Sequence, residues 1–204
     1  MKIEKVNYTG KVYNLEVEPT HAVHDDQFYT NADSGLVVHN CHPRDNIALR
    51  WLTQEYNLGY DFFDTVMHAR EMQAKNLAMF LVDLSVLNNN LPIVIHGKAY
   101  KPDVEYCIGS YSTLVGHYIK LANKAVVYVD PIADDKTDVV AGVDCPAIFL
   151  WAHNRKITYE YTGNQLDTTP YCNIMLGSII VDPWRKLSST ADVKVVHYGN
   201  TRSH

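Results

Sequence analysis

The hydrophobic pattern changes period at about residue 41. In "KVYNLEVE" (11–18), Val12, Asn14 and Glu16 alternate with Tyr13, Leu15 and Val17, which predicts a strand that Pro19 ends. "DDQFYTNADSG" is rich in turn residues, and "GLVVHN" reads as a short apolar strand. Two or three short strands in forty residues do not bury a core, so an all-β segment over residues 1–40 needs a partner surface. From Pro43 the pattern is α/β. "PRDNIALRWLTQEY" is helical, and a longer helix runs from about Asp61 to Leu87. Its predicted apolar stripe is Phe62, Val66, Ala69, Gln73, Leu77, Phe80, Leu81 and Leu84. A turn at "NNNLP" precedes the strand "IVIHG". The helix "SYSTLVGHYIKLAN" follows, and then the strands "KAVVYVDP", "PAIFLWAHN" and "GSIIVDP". Strands separated by helical or loop segments predict a parallel, doubly wound sheet. Ligands of such sheets bind beyond the carboxyl ends of the strands, where "GKAYKPD", "DPIADD", "AHNRK" and "DPWRK" fall.

Composition narrows the classes. The 204 residues are 47% hydrophobic and 20% charged, with net charge −5, which describes a globular chain with no basic footprint for nucleic acid or an anionic membrane. No apolar run reaches spanning length, and the N-terminus lacks the apolar core of a secretory signal. A cytoplasmic chain is expected. Cys41, Cys107, Cys145 and Cys172 are irregularly spaced, without Cys-x-x-Cys, and read as free thiols. His39, Cys41 and His42 lack the spacing of zinc ligands, so no metal is predicted. No Gly-x-Gly-x-x-Gly occurs, so the sheet is not an obvious dinucleotide site.

The tripeptide His39-Asn40-Cys41 carries its own chemistry. An asparagine carboxamide can attack its own backbone carbonyl and cleave the chain after Asn40. The His39 imidazole can protonate the departing amine, and the Cys41 thiol can accept an acyl group as a thioester. Together with Val12–Glu18, His21 and Gly35–Val38, this ending resembles the C-terminal part of an intein of the small all-β Hint type. The resemblance implies splicing roles for His21, His39, Asn40 and Cys41. Two features depart from the pattern: Asn14 replaces the usual Asp, and the His21–Gly35 spacing is long. No N-terminal intein part is recognised, so the expectation is the C-terminal half of a split intein acting in trans. A truncated, inert intein and a piece of a longer precursor are the alternatives.

"CHPRDNIALRWL" with "GKAYKPDVEYCIGSYS", and "DPWRK" nearer the end, resemble the nucleotide-sugar 6-dehydrogenases, UDP-glucose dehydrogenases above all. The resemblance runs from Cys41 to the C-terminus. It implies a Rossmann-like UDP-binding domain and a long dimerisation helix. By position it makes Cys41 the catalytic thiol and Asp45 the carboxylate that activates the hydrolytic water. Tyr100 and Lys101 become sugar-nucleotide contacts, and Arg44 lies near the NAD cofactor. Ile108 stands where many members have Arg. The implied organisation is an intein fragment at 1–40, a catalytic-cysteine segment with the long helix at 41–88, and a UDP-sugar-binding domain at 89–204. Its implied partner is a separate NAD-binding N-terminal half, and its implied assembly after splicing is a homodimer. The ordinary reading of a lone cysteine is a buried hydrophobe; two motifs that meet on Cys41 favour chemistry. A Cys-His protease, which needs a distant His and an orienting group, and a nucleotide-sugar-binding module with an inert extension remain as alternatives. Asp130, Asp182, Trp184 and Arg185 also fall at strand ends, as loop residues open to ligand roles.

Overall fold

The computed structural model describes residues 29–30, 37–38, 43–154, 158–162, 165–169, 172–190 and 192–199. The chain divides into two compact units, Met1–Cys41 and His42–His204. In the first, β1 (Tyr29–Thr30) pairs antiparallel with β2 (Val37–Val38), Tyr29 opposite Val38 and Thr30 opposite Val37. The strand expected at 11–18 lies outside the described residues, as do His21, His39, Asn40 and Cys41.

The second unit opens with α1 (Pro43–Glu55), whose first residue is a proline. Proline suits the first helical turn, where its missing N–H has no intrahelical partner. Helix α2 (Phe62–Leu87) starts at Asp61, whose carboxylate accepts a hydrogen bond from the Asp64 amide at 3.0 Å. It stops because Asn89 and Asn90 both adopt left-handed backbone, with φ of 57° and 58°, and Pro92 follows. Arg50 of α1 bridges to Asp61 and Asp64 at 3.2 and 3.0 Å, tying the helices at the start of α2. The buried stripe of α2 is Ala74, Leu77, Ala78, Leu81 and Ser85. This corrects the predicted stripe: Phe62, Ala69 and Gln73 are exposed, and only the C-terminal half of the helix has a sheet to lie on.

Five parallel strands form the sheet: β3 (Ile93–His96), β4 (Val126–Val129), β5 (Ile148–Trp151), β9 (Ile179–Asp182) and β10 (Lys194–His197). Their order is β10-β9-β5-β3-β4. Helix α3 (Tyr111–Leu121) carries the chain from β3 to β4. Every residue of β3, β5 and β9 is buried, which explains their unbroken apolar sequences: a parallel strand is covered on both faces. Ile93, Ile95, Ile148, Leu150, Ile179 and Val181 meet α2 and α3 through Leu77, Leu81, Val115 and Ile119. The alternate residues Val94, Phe149, Trp151 and Ile180 face the other way and pack with Ile174, Leu187 and Val193.

The mixed α/β class and the parallel sheet match the sequence reading, but the second face differs from a doubly wound sheet. Among the described residues it carries no helix. Between β5 and β9, where the sequence reading names no element, lies a three-stranded antiparallel meander: β6 (Thr158–Thr162), β7 (Gln165–Thr169) and β8 (Cys172–Met175). Three strands, being odd in number, return the chain from the carboxyl end of β5 to the amino end of β9. The sequence does carry a signal for it: "TYEYT" and "QLDTT" are β-favouring runs separated by Gly163 and Asn164, a two-residue hairpin signature.

Gly116 sets the distance between α3 and β4. A Cβ there would lie 1.9 Å from the Tyr128 hydroxyl. Gly116→Ala is therefore predicted to destabilise the protein by about 1–3 kcal/mol, read as a lower urea midpoint. Adding Tyr128→Phe, which removes the clashing oxygen, should recover part of the loss; no recovery would show that the helix spacing has another origin.

Candidate functional site

The strand order contains a reversal. From β3 the chain moves outward to β4 on one side, and from β5 it moves to β9 and β10 on the other. Loops that leave β3 and β5 therefore part, and the crevice of an open parallel sheet lies at the carboxyl ends of that pair. Here it falls at His96–Ala99 and Trp151–His153, since His96 is directly in register with Trp151.

The floor of this crevice is made by close contacts. The His96 and Trp151 rings stack at 4.1 Å, 12° from parallel. Gly97 has φ of +104°, and a Cβ on it would come within 2.6 Å of the His153 ring. Glycine is required there on both counts. His153 is buried, and its Nε2 lies 2.9 Å from the Ala99 carbonyl oxygen. The same carbonyl accepts from Ser110 Oγ at 3.2 Å, while that oxygen accepts from the Ser112 amide and caps α3. Asp130, at the end of β4, accepts the amides of Lys98 and Ala99 on one carboxylate oxygen, at 2.8 and 2.9 Å. Asp182, at the end of β9, is fully buried and accepts the amides of Trp184, Lys186 and Leu187 at 2.8, 2.7 and 2.8 Å. Both aspartates thus fix loops, and neither is aimed outward at a ligand.

The two lysines of "GKAYKP" have opposite fates. Lys98 is only 3% exposed. Its ammonium donates to the carbonyls of Asp135 and Thr137 at 2.9 and 2.6 Å, meets the Asp135 carboxylate at 2.8 Å, and lies over the Tyr128 ring. It pins the 131–138 loop. Lys101 is exposed and makes no ion pair or hydrogen bond among the described residues; Tyr100 is half-buried, its amide donating to the Tyr106 carbonyl at 2.8 Å. Sequence reasoning names Tyr100 and Lys101 and misses Lys98, His96 and His153. Only the proximity of all three to Gly97 and the strand ends could have marked them. Asp45 lies half-buried on α1, and of Arg44 only the helical backbone is described.

Burial pushes the Tyr128 hydroxyl up to about 12, with Asp138 and Asp135 adding to it, and burial also raises the Cys107 thiol. The hydrogen bond from Lys98 holds the Asp135 carboxyl well below the usual carboxylate range, helped by the Thr137 amide. Cys107 and Cys145 are free thiols. Among the described residues no cluster of His, Cys, Asp and Glu fits a metal ion, and no helix is long and apolar enough to cross a membrane.

A dinucleotide does not fit this sheet as a Rossmann site. The connection from β3 to α3 runs over residues 97–110 and is not a tight glycine-rich turn, and Ser110 already occupies the helix N-terminus.

No family model matches the chain. No curated protein matches it. Among solved structures, it is similar to GDP-mannose dehydrogenase from Pseudomonas aeruginosa, crystallised as a ternary complex, with a TM-score of 0.49 and 12% identity. The match covers 76% of this chain and 38% of that one, so this chain spans well under half of that protein's length.

Two predictions test the crevice. Asp130→Ala leaves two buried amides without an acceptor and should cost about 1–3 kcal/mol, seen in chemical denaturation; Asp130→Asn, which keeps one oxygen, should cost less. Because the folded Asp135 pKa is lowered, its stabilisation is present above its unfolded value, about 3.9, and is lost as pH falls through the folded value. Lys98→Met should therefore flatten the acid limb of the stability–pH curve, measured by urea midpoints between about pH 5 and pH 2. An unchanged acid limb would exclude the Lys98–Asp135 pair as its source.

Proposed function

We propose that residues 41–204 are the C-terminal part of a nucleotide-sugar 6-dehydrogenase and that residues 1–40 are a C-terminal split-intein fragment. The observation that carries the dehydrogenase reading is the position of Gly97–Pro102. This block, the most specific element of the sequence resemblance, emerges at the carboxyl end of β3, at the point where the strand order reverses. Tyr100 and Lys101 would meet the sugar nucleotide there. NAD is assigned to the other half of the enzyme, because this sheet does not fit a dinucleotide. That half is the chain's proposed partner, and the spliced product would pair as a homodimer along α2.

In this reading Cys41 serves twice. It first accepts the acyl group during splicing, and cyclisation of Asn40, assisted by His39 and His21, releases the intein. Afterwards Cys41 is the thiol that carries the thioester on the way from the C6 alcohol of UDP-glucose to the carboxylate, with Asp45 activating the hydrolytic water. The splicing half rests on the sequence around His39-Asn40-Cys41, and the second reading, a binding module with an inert extension, differs from it in making no ligated product.

Co-expression with the N-terminal half and intact-mass measurement test the proposal. A ligated chain lacking residues 1–40 is expected, and Asn40→Ala should block cleavage after residue 40. Unchanged masses of both chains would leave only the binding module. The ligated product should reduce NAD in the presence of UDP-glucose. Cys41→Ala introduced into a ready-joined version should lower that rate by about a thousandfold or more.

A further inference from the structure

The turn after β9, "DPWRK", holds an aromatic plane that the fold keeps both immobile and open. Trp184 is 43% exposed. Exposed side chains are ordinarily mobile, but this one is fastened twice. Its indole N–H donates to the Trp151 carbonyl at the end of β5, at 3.0 Å, and its own amide is held by buried Asp182 at 2.8 Å. Asp182 holds the following residues by two further amides, so the whole turn is set in place from beneath. The polar edge of the indole is thus hydrogen-bonded while much of its ring stays in water. What sets it apart is that its exposed ring is held in one orientation by a hydrogen bond at its polar edge, so it offers a fixed flat face on which a second ring can stack.

The surroundings point to a ligand with a planar ring and negative charge. Arg185 and Lys186 follow Trp184 directly and are both exposed. Among the described residues the buried indole nitrogen of Trp151, whose carbonyl holds Trp184, has no hydrogen-bond acceptor. A base stacks on an aromatic face whatever its identity, and cations beside the face suit the phosphates that the base carries.

We infer that Trp184 is the stacking platform for the nucleobase of the sugar nucleotide, a specificity-neutral contact that adds affinity. The inference rests on the nucleotide-sugar reading. The planar base, and not the puckered sugar, is the occupant, because stacking needs two flat faces.

Calorimetric titration of the full chain with UDP and with GDP tests it. Trp184→Leu should bind the nucleotides about tenfold or more weakly, while Trp184→Phe, which also loses the indole N–H but keeps a flat ring, should stay within about threefold of the parent. Nucleotide binding should also quench tryptophan fluorescence, and Trp184→Phe should lose most of that quench while still binding. Equal binding by parent and Trp184→Leu overturns the platform and leaves the nucleotide-sugar reading standing. Equal weakening in Leu and Phe variants also overturns it, since the hydrogen bond and not the ring would then be what matters. Failure of the parent to bind either nucleotide overturns the nucleotide-sugar reading and the platform with it.

Discussion

One carboxylate oxygen of Asp130 accepts two consecutive amides, those of Lys98 and Ala99, and the shape of the crevice depends on that bond pair. Where β3 ends, its loop is free of the sheet ladder, and without an anchor its amides would have to find water. Asp130 takes both from the neighbouring strand end. With Lys98 and Ala99 fixed, the Ala99 carbonyl is presented to His153 on one side and Ser110 on the other. Gly97 is then pressed against the His153 ring, closely enough that only glycine fits. One buried charge thus determines the path of the motif that the proposed function relies on.

The same device recurs at β9. Asp182 is fully buried and is spent on three amides of its own turn, as an Asx-type cap on a loop. Burying a carboxylate costs free energy that direct amide bonds offset, since charge-assisted hydrogen bonds are about twice as strong as neutral ones. Parallel strands end with loops that must part at the reversal, and a short acidic residue at the last or next position is a compact way to hold each loop. Both aspartates are legible in the sequence as strand-end residues, but their role is not, because a Val-Asp-Pro ending fits a ligand carboxylate and a loop anchor equally well.

The elements themselves are largely legible. Unbroken apolar runs such as "IVIH" and "IFLW" identify strands buried on two faces, and "NNNLP" identifies the end of α2. The helix stripe is misplaced by periodicity, which says which residues share a face but not how far along the helix a neighbour extends. Gln73 belongs to a stripe that outruns the sheet, so it meets water. The meander at 158–175 escapes the sequence reading because its polar residues break the apolar runs that mark the central strands. Two-sided burial is what makes β3, β5 and β9 conspicuous, and an added antiparallel layer has no such requirement.

The lysines of "GKAYKP" show most clearly where sequence reading runs out. Three positions apart on one loop, they have the same chemistry and the same local composition, yet one is buried and the other lies in water. What separates them is the partner each finds. Lys98 leaves β3 beside Tyr128 and the 131–138 loop, whose two carbonyls and one carboxylate meet the needs of an ammonium with three donors. A buried ammonium without such partners would be strongly destabilising, so the loop and the lysine must be ordered together. Lys101 finds none of these partners, and its charge remains available. The difference between the two lysines thus lies in the partners that the 131–138 loop supplies to one position and not to the other.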